Sequence, residues 1–198
     1  MPRHSRFTAL VVLALVATPA LAQQAAPEMT PEQKAEMEAY MKAGTPGAPH
    51  KLLAESAGTY DVKVKSWNDP AAPPTEETAT AVRTVDLDGR IVVERFKGSM
   101  MGMPFTGLGL QGFDNVSGKY WATWNDSMST GIMVSEGTCD EKHACTFWGS
   151  WNDPIRKGPM KMRMTSRRTG PGTELFEMYA PGRDGKEMKM MEMTYTKK

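Results

Sequence analysis

From residue 58 onward the chain alternates apolar and polar side chains with a period of two, in about ten successive runs. The first, at 59–67, sets Tyr60, Val62 and Val64 on one face and Asp61, Lys63 and Lys65 on the other. A pleated strand buries every second residue whereas a helix repeats every ~3.6, so the pattern predicts half-buried strands. Further runs follow at 75–87, 90–97, 105–113, 119–125, 130–138, 145–152, 160–169, 173–180 and 186–196. The gaps are short and carry Gly, Pro, Asn or Asp, as in Asp88-Gly89 and Pro181-Gly182-Arg183-Asp184-Gly185, residues that supply the backbone angles and local hydrogen bonds of turns. Strands in succession with short links predict an all-β fold, an up-and-down antiparallel barrel of about ten strands. Short loops at both ends and the lack of paired aromatic girdles favour an apolar interior over a lipid-facing outer wall.

The residues before this body follow other rules. Arg3 and Arg6 precede an apolar stretch at 7–17, and Ala20-Leu21-Ala22 has the small-x-small pattern of a cleavage site. Residues 1–22 are therefore expected to be a Sec-type signal peptide, with export to the periplasm or beyond. The apolar stretch is shorter than the ~20 residues a spanning helix needs, so no membrane span is expected after cleavage. Residues 23–29 are mostly Gln, Ala and Pro and are expected to lack order. Thr30-Pro31-Glu32-Gln33 then starts a helix, with Thr as N-cap, Pro in the first turn and Gln placed to complete a capping box. It is expected to stop at Gly44, with Met37, Tyr40 and Met41 on one face, suited to docking. The division is thus a leader at 1–22, a helix and linker at 23–49 and a barrel at 50–198, opened by a helical turn at 50–57.

Cys139 and Cys145 flank a five-residue polar loop between two strand-like runs, which in an exported chain predicts a disulfide across a hairpin. Closing so small a loop contributes only about 2 kcal/mol in the chain-entropy treatment. The C-x5-C spacing is not a redox motif, there is no second pair for zinc, and the C-x-x-C-H of covalent haem is missing. Removing the leader takes two arginines from the 24 basic residues and leaves 22 against 23 acidic ones. A near-neutral surface of interspersed charges gives no electrostatic case for nucleic acid.

Ser66-Trp67-Asn68-Asp69-Pro70 recurs as Ser150-Trp151-Asn152-Asp153-Pro154, with Trp124-Asn125-Asp126 as a partial third copy. A Trp that ends a strand, followed by an Asn-Asp that starts a turn, accounts for the echo; a rim built to bind is the alternative. Phe113-Asp114, Lys119-Tyr120, Trp124, Asp126-Ser127-Met128 and Thr130-Gly131 together resemble DUF1579, an uncharacterised family of bacterial lipocalin-like (calycin) barrels. In that family a strand opening on an aromatic-Asp pair leads through a turn to a strand ending W-x-D-S-M-x-T-G. His50-Lys51-Leu52-Leu53 and Gly58-Thr59-Tyr60 resemble the start of its barrel, a short helix and then G-x-W, with Tyr60 in place of the Trp. The resemblance spans roughly residues 50–196 and implies the fold without assigning an activity. The neighbouring haem-binding nitrobindins take a His ligand from a late strand; this chain has no His after His143, so haem is not expected.

A lipocalin-like barrel implies a small apolar or amphipathic ligand inside, oriented by a few inward polar or aromatic side chains. Of the neighbours Glu94 and Arg95, one must enter the barrel or its mouth, and Trp124, Asp126, Trp148 and Arg163 are further candidates. Methionine is the outlier in composition, with 17 residues. Met160, Met162 and Met164 share a strand face, whereas Met188 and Met190 and then Met191 and Met193 change phase, which predicts a bulge. Met162 and Met164 are therefore ligand candidates, as an adaptable apolar wall or as soft donors for Cu(I). Catalysis has little support: His50 and His143 sit in no nucleophile or metal motif, and Gly107, Gly109 and Gly112 fit a strand that must relieve crowding better than a phosphate loop. The run from Asn125 through Asp126, Ser127, Met128, Ser129 and Thr130 to Gly131 is more polar than a turn requires, so an enzyme's site would lie on this rim, between Trp124 and Thr130.

Overall fold

Two short helices precede ten strands. The computed structural model describes residues 28–155, 157–182 and 184–198; the leader assigned to 1–22 and the stretch 23–27 lie outside them. Helix α1 (Pro31–Gly44) starts on the expected capping box, with the Thr30 side chain accepting from the Gln33 amide and the Gln33 side chain accepting from the Thr30 amide. Helix α2 (Ala48–Ala54) begins slightly before the expected turn, and the His50 ring explains why: its Nδ1 accepts from the Gly47 amide at 3.0 Å and fixes the first turn.

The strands are β1 (Gly58–Ser66), β2 (Thr75–Asp86), β3 (Ile91–Met100), β4 (Met103–Asp114), β5 (Lys119–Asp126), β6 (Met133–Cys139), β7 (Cys145–Asp153), β8 (Gly158–Gly170), β9 (Thr173–Pro181) and β10 (Glu187–Lys197). Each pairs antiparallel with its neighbours in sequence, and β1 pairs with β10 to close the barrel. Closure leaves no free edge. The expected phase change in β10 is a register shift between Lys189 and Met191, which returns Met191 and Met193 to the inner face that Met188 occupies before it. Cys139 and Cys145 are bonded across the β6–β7 hairpin.

Antiparallel succession gives the barrel two distinct ends. At the base lie the turns β2–β3, β4–β5, β6–β7 and β8–β9, together with α2. The Arg90 Nε donates to the Gly44 carbonyl, and the Asn115 Nδ2 donates to the carbonyls of Ala43 and Thr45, so the linker is tied to two base turns. His50 is buried edge-on against Phe113, which itself meets Tyr120. Helix α1 buries no residue, and Tyr40 on its apolar face is 73% exposed. At the mouth lie the turns β1–β2, β3–β4, β5–β6, β7–β8 and β9–β10.

Inside, the apolar residues form two clusters. One joins Tyr60, Val62, Val64, Ala79, Ala81, Phe96, Phe105 and Tyr195 across β1–β4 and β10. The other joins Met160, Met162, Met164 and Ala180 on β8 and β9, with Met133, Phe147, Met178 and Met190 against them. Strand order sets β2 and β3 opposite β7 and β8, so the clusters line facing walls, and Phe176 packs against both.

Candidate functional site

The floor of the barrel is a buried charged cluster. Arg83 on β2 and Glu94 on β3 are cross-strand partners that point inward, and the Arg83 Nε donates to Glu94 at 2.5 Å. The Arg83 Nη1 donates to Glu174 on β9 at 2.7 Å, and the Tyr195 hydroxyl on β10 donates to Glu94 at 3.3 Å. The guanidinium also lies over the rings of Tyr60 and Tyr195, 5.0 and 4.5 Å from their centroids. Burial works against the Arg83 charge, but Glu94 and Glu174 outweigh it and hold the group well above its ordinary range. Burial, and then the Glu94 carboxylate, push the Tyr195 phenol well above its usual value, so its hydroxyl remains a donor. Among the described residues no buried side-chain polar atom lacks a partner. One tyrosine at the base, Tyr60, also donates its hydroxyl to the Ser56 carbonyl and so joins the floor to the chain after α2.

Above the floor the two walls differ. On one, Phe96, Phe105 and Trp124 form an aromatic group near the mouth, with Phe105 and Trp124 stacked at 6.4 Å and Phe96 edge-on to both. The indole of Trp124 lies flat along β4, where a Cβ on Gly107 would come within 2.2 Å of it. This is the crowding that the glycines of β4 relieve. On the other wall Met160, Met162 and Met164 are buried, while inward-facing Phe147, Phe176 and Met178 keep partial access to solvent; Met191 and Met193 on β10 pack against the first cluster.

The polar rim is loop construction. Asp126 accepts from the Trp124 Nε1 at 3.1 Å and, through its other oxygen, from the Met128 amide at 2.9 Å. Ser127 donates its amide to the Thr106 carbonyl and accepts the Thr106 amide, while the Asn125 side chain donates to the Gly131 carbonyl. The Ser129 hydroxyl accepts from the Gly131 amide. The three Trp-Asn-Asp copies share one device: Asp69, Asp126 and Asp153 each accept from the amide two residues on, at 2.9, 2.9 and 2.7 Å. All three end strands that run toward the mouth, which is why the same letters recur there.

The outer wall carries a second arrangement. Trp121, Glu136, Trp148, Arg163, Tyr179 and Lys189 are successive register partners from β5 to β10. Just past β1, Trp67 lies 5.8 Å from the Lys189 ammonium. Aromatic and charged side chains thus alternate across the sheet. Arg163 stacks 4.1 Å over Tyr179 and binds both oxygens of Glu187, whose carboxyl that hydrogen bonding holds below its usual range. Lys189 binds Glu177 and Glu192, and its hydrogen bond lowers Glu177 in the same way. Beside Trp148, a groove of about 350 Å3 is lined by Lys119, Glu136, Gly137, Thr138 and Thr146.

Of the residues singled out from sequence, Glu94, Trp124, Asp126, Met162 and Met164 face the lumen or its mouth. Arg95 and Trp148 do not: strand parity puts both on the outer wall, with Trp148 60% exposed, so neither lines the interior. Arg163 likewise faces outward. Arg83, Glu174 and Tyr195 were not legible as a site, because the sequence does not say that β2, β3, β9 and β10 bring them to one point. An arginine at a core position of an alternating run, Ala79, Ala81 and then Arg83, is the one local signal. No curated protein matches this chain. The pattern of DUF1579, a family of proteins of unknown function, matches residues 45–197, nearly the whole of the described chain, and the chain belongs to that family.

Proposed function

We propose that the barrel holds a small apolar or amphipathic molecule in its lumen, admitted at the mouth. The observation that carries this reading is the division of the interior into two clusters on facing walls that share Phe176. Buried side chains usually gather into one contiguous core with smaller satellite clusters. Here the second wall is thioether and aromatic, Phe147, Phe176 and Met178 keep partial solvent access beside the buried Met160, Met162 and Met164, and methionine adapts readily to ligands of varied shape. The aromatic group at Trp124 offers a flat apolar contact near the mouth, and the Glu94–Arg83 floor would meet a polar end.

The readings as a rim enzyme and as a Cu(I) carrier have less support. Asp126, the acid an enzyme would use, already holds Trp124 and the Met128 amide. Met160, Met162 and Met164 stand two residues apart along β8, roughly 6.8 Å at the backbone, so the strand by itself does not converge their sulfurs. The disulfide fits an oxidising compartment, and export through the leader at 1–22 belongs to this proposal. Outward-facing Lys63, Arg95 and Lys97 charge the outer wall where a lipid-facing barrel would carry an apolar band.

Native mass spectrometry of the protein from its own host is expected to show an adduct that organic solvent extracts, and the emptied protein is expected to take up a fluorescent fatty acid, more weakly after Trp124→Ala. A chain that leaves its host bare and takes up no such probe overturns the reading.

A further inference from the structure

We propose a second binding site, on the outside of the barrel, for neutral oligosaccharides stacked on Trp148. The site is independent of the lumen, because strand parity sets Trp148 on the opposite face of β7 from Phe147.

Three observations carry it. First, Trp148 is a large ring left open on a structured surface. In the same outer row Tyr179 is covered by Arg163 and approached by Lys189, and Trp67 is approached by Lys189, whereas no cation of the described residues lies over Trp148. It stands 60% exposed on a hydrogen-bonded strand in the middle of β6–β8, so the ring is held on a rigid platform. Second, the ring borders a groove of about 350 Å3 whose lining brings an ammonium, a carboxylate and two hydroxyls, those of Lys119, Glu136, Thr138 and Thr146, together with Gly137. Lys119 and Glu136 hold each other at 3.1 Å, which sets a donor and an acceptor side by side. Third, Trp121 occupies the same row two strands away, across Glu136, at a backbone spacing of about 10 Å. Its indole lies flat over Gly112, where a Cβ would come within 2.3 Å.

These features select a ligand class. The electron-rich face of an indole attracts C–H groups that carry partial positive charge, and a pyranose presents such a face of axial C–H bonds while its rim is hydroxyl. Each hydroxyl can donate to Glu136 and accept from Lys119 or a threonine. A protein partner would need the reverse surroundings, since an interface anchor is effective when its neighbours are apolar enough to exclude water. Around Trp148 an ion pair and two hydroxyls border the ring, with Val134 an exposed apolar neighbour on β6.

The test labels the five tryptophans with 5-fluorotryptophan and follows them by fluorine NMR while cellotriose, chitotriose or maltotriose is added to the purified protein. The resonance removed by Trp148→Phe identifies this side chain. It is expected to shift with at least one trisaccharide, with a dissociation constant on the order of 1 mM. Trp148→Ala is expected to weaken binding by at least about tenfold and Trp148→Phe by less. Uptake of the fluorescent fatty acid is expected to be the same in wild type and Trp148→Ala, which separates this site from the lumen. Failure of all three sugars to move the Trp148 resonance, or equal binding by Trp148→Ala, overturns the proposal.

Discussion

The two facing walls of the barrel are made from the same pleat and do different things. The wall on β1–β4 is built from Tyr60, Val62, Val64, Ala79, Ala81, Phe96 and Phe105, all buried, and it is anchored below by the Arg83–Glu94 pair. The wall on β7–β9 is methionine and phenylalanine, with Met160, Met162 and Met164 buried and Phe147, Phe176 and Met178 only partly so. Stiff branched and aromatic side chains hold one arrangement; unbranched thioethers accept many. One side is therefore the stiffer, and the other, under the proposed function, is the one that would repack around a guest.

The comparison breaks most sharply at the floor. Replacing Arg83 by Ala leaves Glu94 buried without its cation and is expected to cost about 3–5 kcal/mol, read as a lower urea midpoint. The double change Arg83→Met with Glu94→Leu should recover most of that loss, since burying neither charge removes the penalty. If the single and double variants unfold alike, the floor does not act as an ion pair.

A smaller effect separates the walls themselves. Phe96→Ala removes a side chain from the packed wall and is expected to cost about 3–5 kcal/mol, whereas Met178→Ala on the accessible wall should fall near 2 kcal/mol, the low end of its class. In the presence of the fluorescent fatty acid the order of importance should invert, with Met178→Ala changing affinity more than its stability suggests. Equal stability losses at the two positions would show that the interior is one core.

The smallest expected effect lies on the outer wall and sharpens the contrast with the floor. Glu177 has its pKa lowered, chiefly by the hydrogen bond from Lys189. A carboxyl lowered in the folded state stabilises above its ordinary value and loses that contribution as pH falls through the lowered one. Denaturant midpoints should therefore drop in acid below pH ~4.5 and flatten in Glu177→Gln, by no more than about 1 kcal/mol for a pair at the surface. A larger change would mean that the outer row bears load comparable to the floor.

Much of the barrel was legible because strand identity is a local property. Period-two alternation from Tyr60 onward, the capping box at Thr30 and the phase change at Met190 each express steric or hydrogen-bonding preferences of a few consecutive residues. The Asn-Asp turns belong to the same class, since Asp69, Asp126 and Asp153 each bond a backbone amide two residues away. The outer position of Trp148 and the inner position of Glu94 were half legible: alternation separates the faces of a strand, but only the barrel says which face is inside.

What the sequence by itself determined is thus the succession of strands, their turns, the disulfide and the helix start, all set by interactions within a hairpin or a turn. The tertiary structure alone decided which distant groups meet. Arg83, Glu94, Glu174 and Tyr195 converge because closing β1 onto β10 brings strands from both ends of the chain to one floor. Trp121 and Trp148 share an outer row because the β5–β6 and β6–β7 registers carry them there. Register is fixed by the sum of many cross-strand contacts, a sum that no short stretch of sequence contains.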